Sequence, residues 1–345
     1  MTLVSPMYQN PYAGFPLNSG SQGQMRPSLP ALPIGLGSPV ASVASPASYY
    51  SFLPSRQKAP YRFAVMGDAG TGDLNQALVA RQMSFWHQVM PYNSVMVLGD
   101  NVYKNGEPAL FPERITRPYQ DLQRQGVRFF PVLGNHDVKK GFGDWQLAYW
   151  GVPPFYNFKL GPPGFEVEFW AIDTNLLIPQ SILEGQGNPA LARQKAACQM
   201  AWLTQSLAQS TASMKVVYGH HPMASTGANT KSGRAFEQQL VASQLGPLFS
   251  RYGVDLYMAG HEHHYEKPAL VSGTYHLVSG AGGKVDSAKR GGPEGNGLMK
   301  QLHFMLFEIT SQGLTYRTIS SDGKFIDCGK IPRKGMPGAQ LYAYA

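Results

Sequence analysis

Five short apolar runs in this 345-residue chain each end in a glycine followed by a side chain able to bind a metal ion. Phe63-Ala64-Val65-Met66 leads into Gly67-Asp68, and Val95 to Leu98 leads into Gly99-Asp100. Phe130 to Leu133 leads into Gly134-Asn135-His136-Asp137. Val216-Val217-Tyr218 precedes Gly219-His220-His221, and Leu256 to Ala259 precedes Gly260-His261-Glu262-His263-His264. Asp68 and Asp100 are hard anionic oxygen donors, and Asp100 has two oxygens with which to bridge two cations. Tyr103 is a third anionic donor if it ionises. A phenol of intrinsic pKa about 10 does so near neutrality only beside a strong cation, which points to a trivalent metal. Asn135, His220, His261 and His263 are neutral donors suited to divalent Fe, Zn or Mn. Residues two apart on extended chain face the same way, so His261 and His263 can point inward together. Three anions against a metal pair of total charge five leave two positive charges, enough to hold hydroxide and attract phosphate, as in a two-metal hydrolase. One Gly-Asp after a strand is an ordinary turn; five such endings in one chain make a site.

Those side chains need strands to carry them. Short, wholly apolar runs are typical of sheets covered on both faces, and ligands collect beyond the carboxyl ends of such strands. Between the runs, the spacing predicts a helix capped by Asp73 or Asn75 and ending near Met90, and a second over 113–125, stopped by Gly126. A short helix follows over 143–150, a strand pair over 155–160 and 165–172, and long helices over 190–210 and 233–252. Later strands fall at 274–279, 303–309, 314–319 and 324–328. The expected architecture is α/β, with two mixed sheets packed face to face and helices outside. His87, His276 and His303 fall within these helix and strand patterns and read as structural.

Residues 1–60 have a different character. They contain ten prolines and much Ser, Gly and Ala, and the first carboxylate of the chain is Asp68. Such a segment buries too little apolar surface to offset its ordering entropy, so it reads as a disordered tail ahead of one catalytic domain over 61–345. The formal net charge is +8 with pI near 9.3, yet only 14% of residues are charged and no long Lys/Arg run occurs. This favours phosphorylated substrates, whether small molecules or phosphoproteins, over dedicated nucleic-acid recognition. Cys198 and Cys328 are too few for a disulfide scaffold. No apolar run spans a membrane, and the N-terminus lacks the order of features expected of a secretory signal. Composition leaves the compartment and oligomeric state open.

The motifs Gly67-Asp68-Ala69-Gly70, Gly99-Asp100-Asn101-Val102-Tyr103, Gly134-Asn135-His136-Asp137, Gly219-His220 and Gly260-His261-Glu262-His263 resemble those of the calcineurin-like metallophosphoesterases. Tyr103, three residues after Asp100, selects the purple acid phosphatase branch, and the match is closest to its small, tartrate-resistant members over roughly 61–332. The resemblance implies a four-layer α/β/β/α sandwich. It implies Fe(III) held by Asp68, Tyr103 and His263, a second ion (Fe, Zn or Mn) held by Asn135, His220 and His261, and Asp100 bridging. It further implies in-line attack of metal-bound hydroxide on a phosphate monoester, with Asn135 and His136 contacting the phosphate and His136 supplying the proton for the leaving group. Small animal members carry another substrate histidine in the loop after Gly-His. Here 225–231 contains none, Asn229 stands about where it would fall, and His221 and His264 are the candidates to replace it. The competing expectations are a phosphodiesterase of the same superfamily, acting on nucleotides or phospholipid head groups, and a non-catalytic metal- or anion-binding protein.

Overall fold

The computed structural model describes residues 60–179, 188–226, 234–285 and 298–333. The expected tail, apart from Pro60, therefore lies outside the described residues, as does Asn229. Strands β1 (Tyr61–Met66), β2 (Ser94–Val97) and β3 (Arg128–Pro131) lie side by side and parallel. A meander of β10 (His303–Thr310), β11 (Gly313–Ser320) and β12 (Phe325–Pro332) extends that sheet antiparallel from β1, giving the order β12-β11-β10-β1-β2-β3. The second sheet contains β4 (Tyr156–Leu160), β5 (Val167–Ala171), β6 (Met214–Tyr218), β7 (Leu256–Ala259), β8 (Tyr265–Glu266) and β9 (Tyr275–Ser279). Its order is β4-β5-β6-β7-β9-β8, with β5, β6, β7 and β9 parallel. These are the two mixed sheets expected from the sequence.

Side-chain alternation explains why the sheets stack with helices outside. On β1, Phe63 points to the partner sheet and meets Phe169 of β5 edge-on at 5.1 Å between ring centres. Ala64 and Met66, on the other face, pack with Val79, Ala80 and Met83 of helix α1 (Leu74–Val89). On β5 the faces separate in the same way: Phe169 lies between the sheets, while Trp170 donates from Nε1 to Ser206 Oγ of the outer helix α5 (Pro189–Gln209) at 2.9 Å. That helix and α6 (Arg234–Tyr252) cover the second sheet through Leu203, Leu207, Val241, Leu245 and Phe249. Phe130 and Phe158 stack at 4.1 Å, joining β3 to β4 across the interface. The inner strands β1, β2, β5 and β7 thus have two apolar faces, which a four-layer arrangement buries.

The start of α1 follows the capping expectation: Asp73 accepts from the backbone N–H groups of Asn75 and Gln76. The helix expected over 113–125 forms only in pieces, a π-turn at Pro112–Thr116 and the short α2 (Gln120–Arg124). Pro118 has no N–H to return to the carbonyl of Arg114, so the helix ends there. Gln76 Nε2 supplies the missing donor to that carbonyl. Next come a single helical turn, α3 (Asn135–Val138), and α4 (Gly143–Trp150), which ends on Gly151 in the left-handed region at φ 65°. Cys198 and Cys328 are unpaired. Among the described residues no helix is long and apolar enough to cross a membrane.

Two buried histidines give the fold a pH dependence. His276 Nε2 accepts from the backbone N–H of Met223 at 3.0 Å, and His303 Nε2 lies 2.9 Å from Ser279 Oγ. Burial lowers the pKa of each to about 4. Between pH 6.5 and 4 the unfolded chain therefore binds protons that the folded chain does not, so stability is full above pH 6.5 and falls as the pH drops through that window. Each histidine contributes on the order of 1–3 kcal/mol to this loss. Buried Asp137 and Asp173, whose carboxyls burial raises to about 7 and about 6, act in the opposite sense, so the comparison is between proteins: urea denaturation should show a smaller loss of stability from pH 7 to pH 5 in His276→Gln than in the wild type.

Candidate metal centre

The carboxyl ends of β1, β2 and β3 in one sheet, and of β6 and β7 in the other, open onto a common space. Asp68 N–H donates to Gly99 O at 3.0 Å, Tyr103 N–H to Gly70 O at 3.0 Å, and Gly260 N–H to His220 O at 2.9 Å, tying neighbouring loops together. Three loop residues have left-handed backbones despite carrying side chains: Asp68 at φ 55°, Asp100 at φ 53° and His261 at φ 69°. Each such conformation costs about 1–2 kcal/mol in an L-residue and persists only where the surroundings enforce it. Gly99, at φ 88°, and Gly134 permit close approaches between the loops. A Cβ on Gly99 would lie 2.7 Å from both Gly134 N and His220 Nδ1, and one on Gly134 would overlap the Asp100 carboxylate.

All seven expected donors converge there, six of them in two triangles. Tyr103 Oη lies 3.1 Å from Asp68 Oδ1 and 3.3 Å from His263 Nε2, which is itself 3.5 Å from Asp68 Oδ1. Asn135 Oδ1 lies 3.1 Å from His220 Nε2 and 3.2 Å from His261 Nδ1, with 3.2 Å between those two nitrogens. Donors at right angles on one ion with bonds near 2.1 Å stand about 3 Å apart, so each triangle has the dimensions of one coordination face. Asp100 links the two: its Oδ1 is 3.5 Å from His220 Nε2, and its carboxylate also accepts a hydrogen bond from Tyr103. Asp68, Asp100 and His220 offer three buried ligand atoms within 4.8 Å of one another.

The hydrogen-bond network assigns the imidazole protons. His220 Nδ1 faces Leu98 O at 2.8 Å and so carries its proton, leaving a lone pair on Nε2. His261 Nε2 faces Glu237 Oε2 at 3.2 Å, leaving the lone pair on Nδ1. In that tautomer the two lone pairs and the carbonyl oxygen of Asn135 face one another; burial opposes protonation of His220, but Asp100 and Asp68 raise its pKa, so without an ion a proton on Nε2 takes the cation's place. Such a cluster is repulsive unless a cation occupies its centre, and on this chemistry the donor set fits a metal ion. Burial, followed by the neighbouring His221 and His220, drives the pKa of His261 well below the ordinary value, which keeps it a neutral donor. Burial opposes ionisation of Asp100, but His220 and His136 hold its pKa low and keep it anionic. Burial, then Asp100 and Asp68, raise the pKa of Tyr103 well above 10, so only a strong cation would ionise it.

The remaining expected residues differ in exposure. His136 is partly open, with a side chain 25% exposed; its Nδ1 faces Lys104 O at 2.6 Å and its ring lies 4.6 Å from that of Tyr103. His221 is fully buried. Thr174 Oγ1 accepts from the backbone N–H groups of both His220 and His221, so its own hydrogen goes to His221 Nδ1 at 2.8 Å. That leaves the proton on His221 Nε2, a donor with no hydrogen-bond partner among the described residues. His264 Nε2, also buried, is engaged by Glu266 Oε2 at 3.0 Å and Ser225 Oγ at 3.3 Å.

Several contributors escape sequence reasoning. Asp137 accepts from the N–H groups of Asn101, Val102 and Gly134 and from Gln146 Nε2, locking two ligand loops together. Its place in Gly-Asn-His-Asp is the one available signal. Lys284 Nζ sits 5.0 Å from the centre of the Tyr103 ring. Thr174, Arg234 and Glu237 carry no local signal, because their partners lie 24 to 47 residues away in sequence.

The family description Calcineurin-like phosphoesterase matches residues 61–265. Tartrate-resistant acid phosphatase type 5 of Homo sapiens is 27% identical over 306 residues, which is 80% of this chain and 92% of that protein. Purple acid phosphatase 7 of Arabidopsis thaliana is 30% identical over 248 residues, 65% of this chain and 70% of that one. The chain belongs to the calcineurin-like phosphoesterases, in their purple acid phosphatase branch. Among solved structures, GAP50, the anchor in the inner membrane complex of Plasmodium, shares the fold at a TM-score of 0.66 and 23% identity, covering 81% of this chain and 91% of that one. Membership of this branch makes the protein a metal-dependent phosphatase, of a family whose cofactor is a dinuclear metal centre.

The glycine geometry can be tested directly. Gly99→Ala combines left-handed strain with overlap, and should cost about 2–4 kcal/mol in urea denaturation. Gly126→Ala is the control: its φ is 82°, but a Cβ would meet nothing within 4 Å, so it should cost only about 1 kcal/mol.

Proposed function

We propose that this protein is a dinuclear-metal phosphomonoesterase, its activity carried by one catalytic domain beginning at residue 61. The observation that carries this reading is the pair of donor triangles joined through Asp100, with the partly exposed His136 beside them. On it, Asp68, Tyr103 and His263 would hold Fe(III). Asn135, His220 and His261 would hold Fe(II), Zn or Mn, and Asp100 would bridge. When bound, the pair supplies an acidified water as nucleophile and positive charge opposite the transferring phosphoryl group.

The chain's own groups do the rest. His136 donates from Nδ1 to the carbonyl of Lys104, so its Nε2 is the end free to carry a proton to the leaving alkoxide. The Asp100 carboxylate lies close by, with Oδ2 4.0 Å from that nitrogen. Asn135 orients the phosphate from the second triangle. The Nε2–H of His221, its tautomer set by Thr174, takes over the donor role of the histidine that 225–231 lacks. Lys284 adds a positive charge beside Tyr103. We assign His264 to supporting the ligand loop, because Glu266 and Ser225 already engage its Nε2. A cationic surround of this kind suits the dianionic end of a monoester, whether on a small molecule or a phosphoprotein, better than a singly charged diester.

The test is turnover of p-nitrophenyl phosphate against bis(p-nitrophenyl) phosphate, with and without a chelator. The monoester should be preferred and the chelator should abolish its hydrolysis; preference for the diester would move the protein to the phosphodiesterases. His136→Ala should lower kcat roughly 10²-fold or more while leaving the metal content unchanged. Asp100→Asn should lose metal and activity together, and an active, fully metallated Asp100→Asn would refute the bridge.

A further inference from the structure

Two consecutive residues of the His261-Glu262-His263 stretch are gripped by one turn of α6. Glu237 Oε2 lies 3.2 Å from His261 Nε2, and Arg234 Nη1 donates to Glu262 Oε2 at 3.0 Å. Residues three apart share a helix face, so the first turn of α6 presents both side chains to the same loop. That loop needs holding. His261 has a left-handed backbone at φ 69°, and Glu262 is a fully buried carboxylate between two proposed ligands.

We propose that Glu237 is a positioning residue for the second ion, fixing the proton on His261 Nε2 so that Nδ1 faces Asn135 and His220, with Arg234 anchoring the loop through Glu262. This rests on the two-ion reading of the site. A carboxylate behind a ligating imidazole fixes its tautomer and raises its basicity, and loss of such a partner typically weakens metal binding 10- to 100-fold. The effect is selective, because Glu237 touches His261 of the Asn135–His220–His261 triangle, whereas the Asp68–Tyr103–His263 triangle closes through its own contacts. Glu237 is also partly open, with a side chain 23% exposed, so trimming it leaves no sealed cavity.

The experiment counts metals. Wild type, Glu237→Ala and Glu237→Gln are loaded with iron and zinc, dialysed against a series of zinc buffers, and analysed for both metals per chain. Glu237→Ala should weaken retention of zinc about 10- to 100-fold while keeping iron. Glu237→Gln, whose carboxamide oxygen still accepts from Nε2–H, should recover most of that loss. Zinc retention in Glu237→Ala equal to wild type would overturn the proposal. So would loss of both metals from Glu237→Ala and Glu237→Gln alike, with a lowered melting temperature of the metal-free protein, since that marks a scaffold residue. A wild type that holds a single metal would instead overturn the two-ion reading itself.

Discussion

The structure depends on a crowding of hydrogen-bond acceptors that calls for a cation at its centre. Two imidazole lone pairs and a carbonyl oxygen meet at 3.1 to 3.2 Å, close to the carboxylate of Asp100. Without a cation these groups repel, and the chain holds them together by other means. Backbone hydrogen bonds tie the Asp68 loop to the Asp100 loop and the His220 loop to the His261 loop, and Asp137 clamps the Asp100 and Asn135 loops with four accepted bonds. The three left-handed residues Asp68, Asp100 and His261 add about 1–2 kcal/mol each to the cost. Strain concentrated at ligand positions is tolerable because the strand ends beneath are buried, and ion binding would return the stability.

The two-sheet stack makes this economical. Neighbouring parallel strands end at one level, so β1, β2 and β3 deliver Asp68, Asp100 and Asn135 side by side, while β6 and β7 deliver His220 and His261 from the other sheet. The site therefore spans the interface between the sheets, and the aromatic contacts Phe63–Phe169 and Phe130–Phe158 set its width. A fold of this kind does not by itself make a catalyst. GAP50 is described as an anchor and has the same architecture. What favours catalysis here is the complete donor set together with an accessible imidazole at His136.

Much of this was legible in the amino-acid sequence because it is local. Apolar runs ending in glycine and a ligand are contiguous signals, and the strand ends they mark include every donor in the two triangles except Tyr103, which follows Asp100 by three residues. Helix starts with a cap, such as Asp73, are equally local. Misreadings arise where a distant partner decides. The helix over 113–125 breaks at Pro118, and the freed carbonyl of Arg114 survives burial only because Gln76, 38 residues earlier, bonds to it. His221 and His264 look alike as second histidines after a motif. Thr174 sets the tautomer of one, and Glu266 and Ser225 engage the other. Glu237 and Arg234 are ordinary polar residues of an amphipathic helix until the fold brings the His261 loop against them.

Whether these acceptors enclose two cations sharing Asp100 is decided by anomalous diffraction from crystals of the metal-loaded protein, with metal analysis of the same sample. Two ions per chain are expected, one bonded to Asp68, Tyr103 and His263, the other to Asn135, His220 and His261, and both to Asp100. A folded, loaded protein with a single anomalous peak, or with peaks away from these seven side chains, would contradict that expectation.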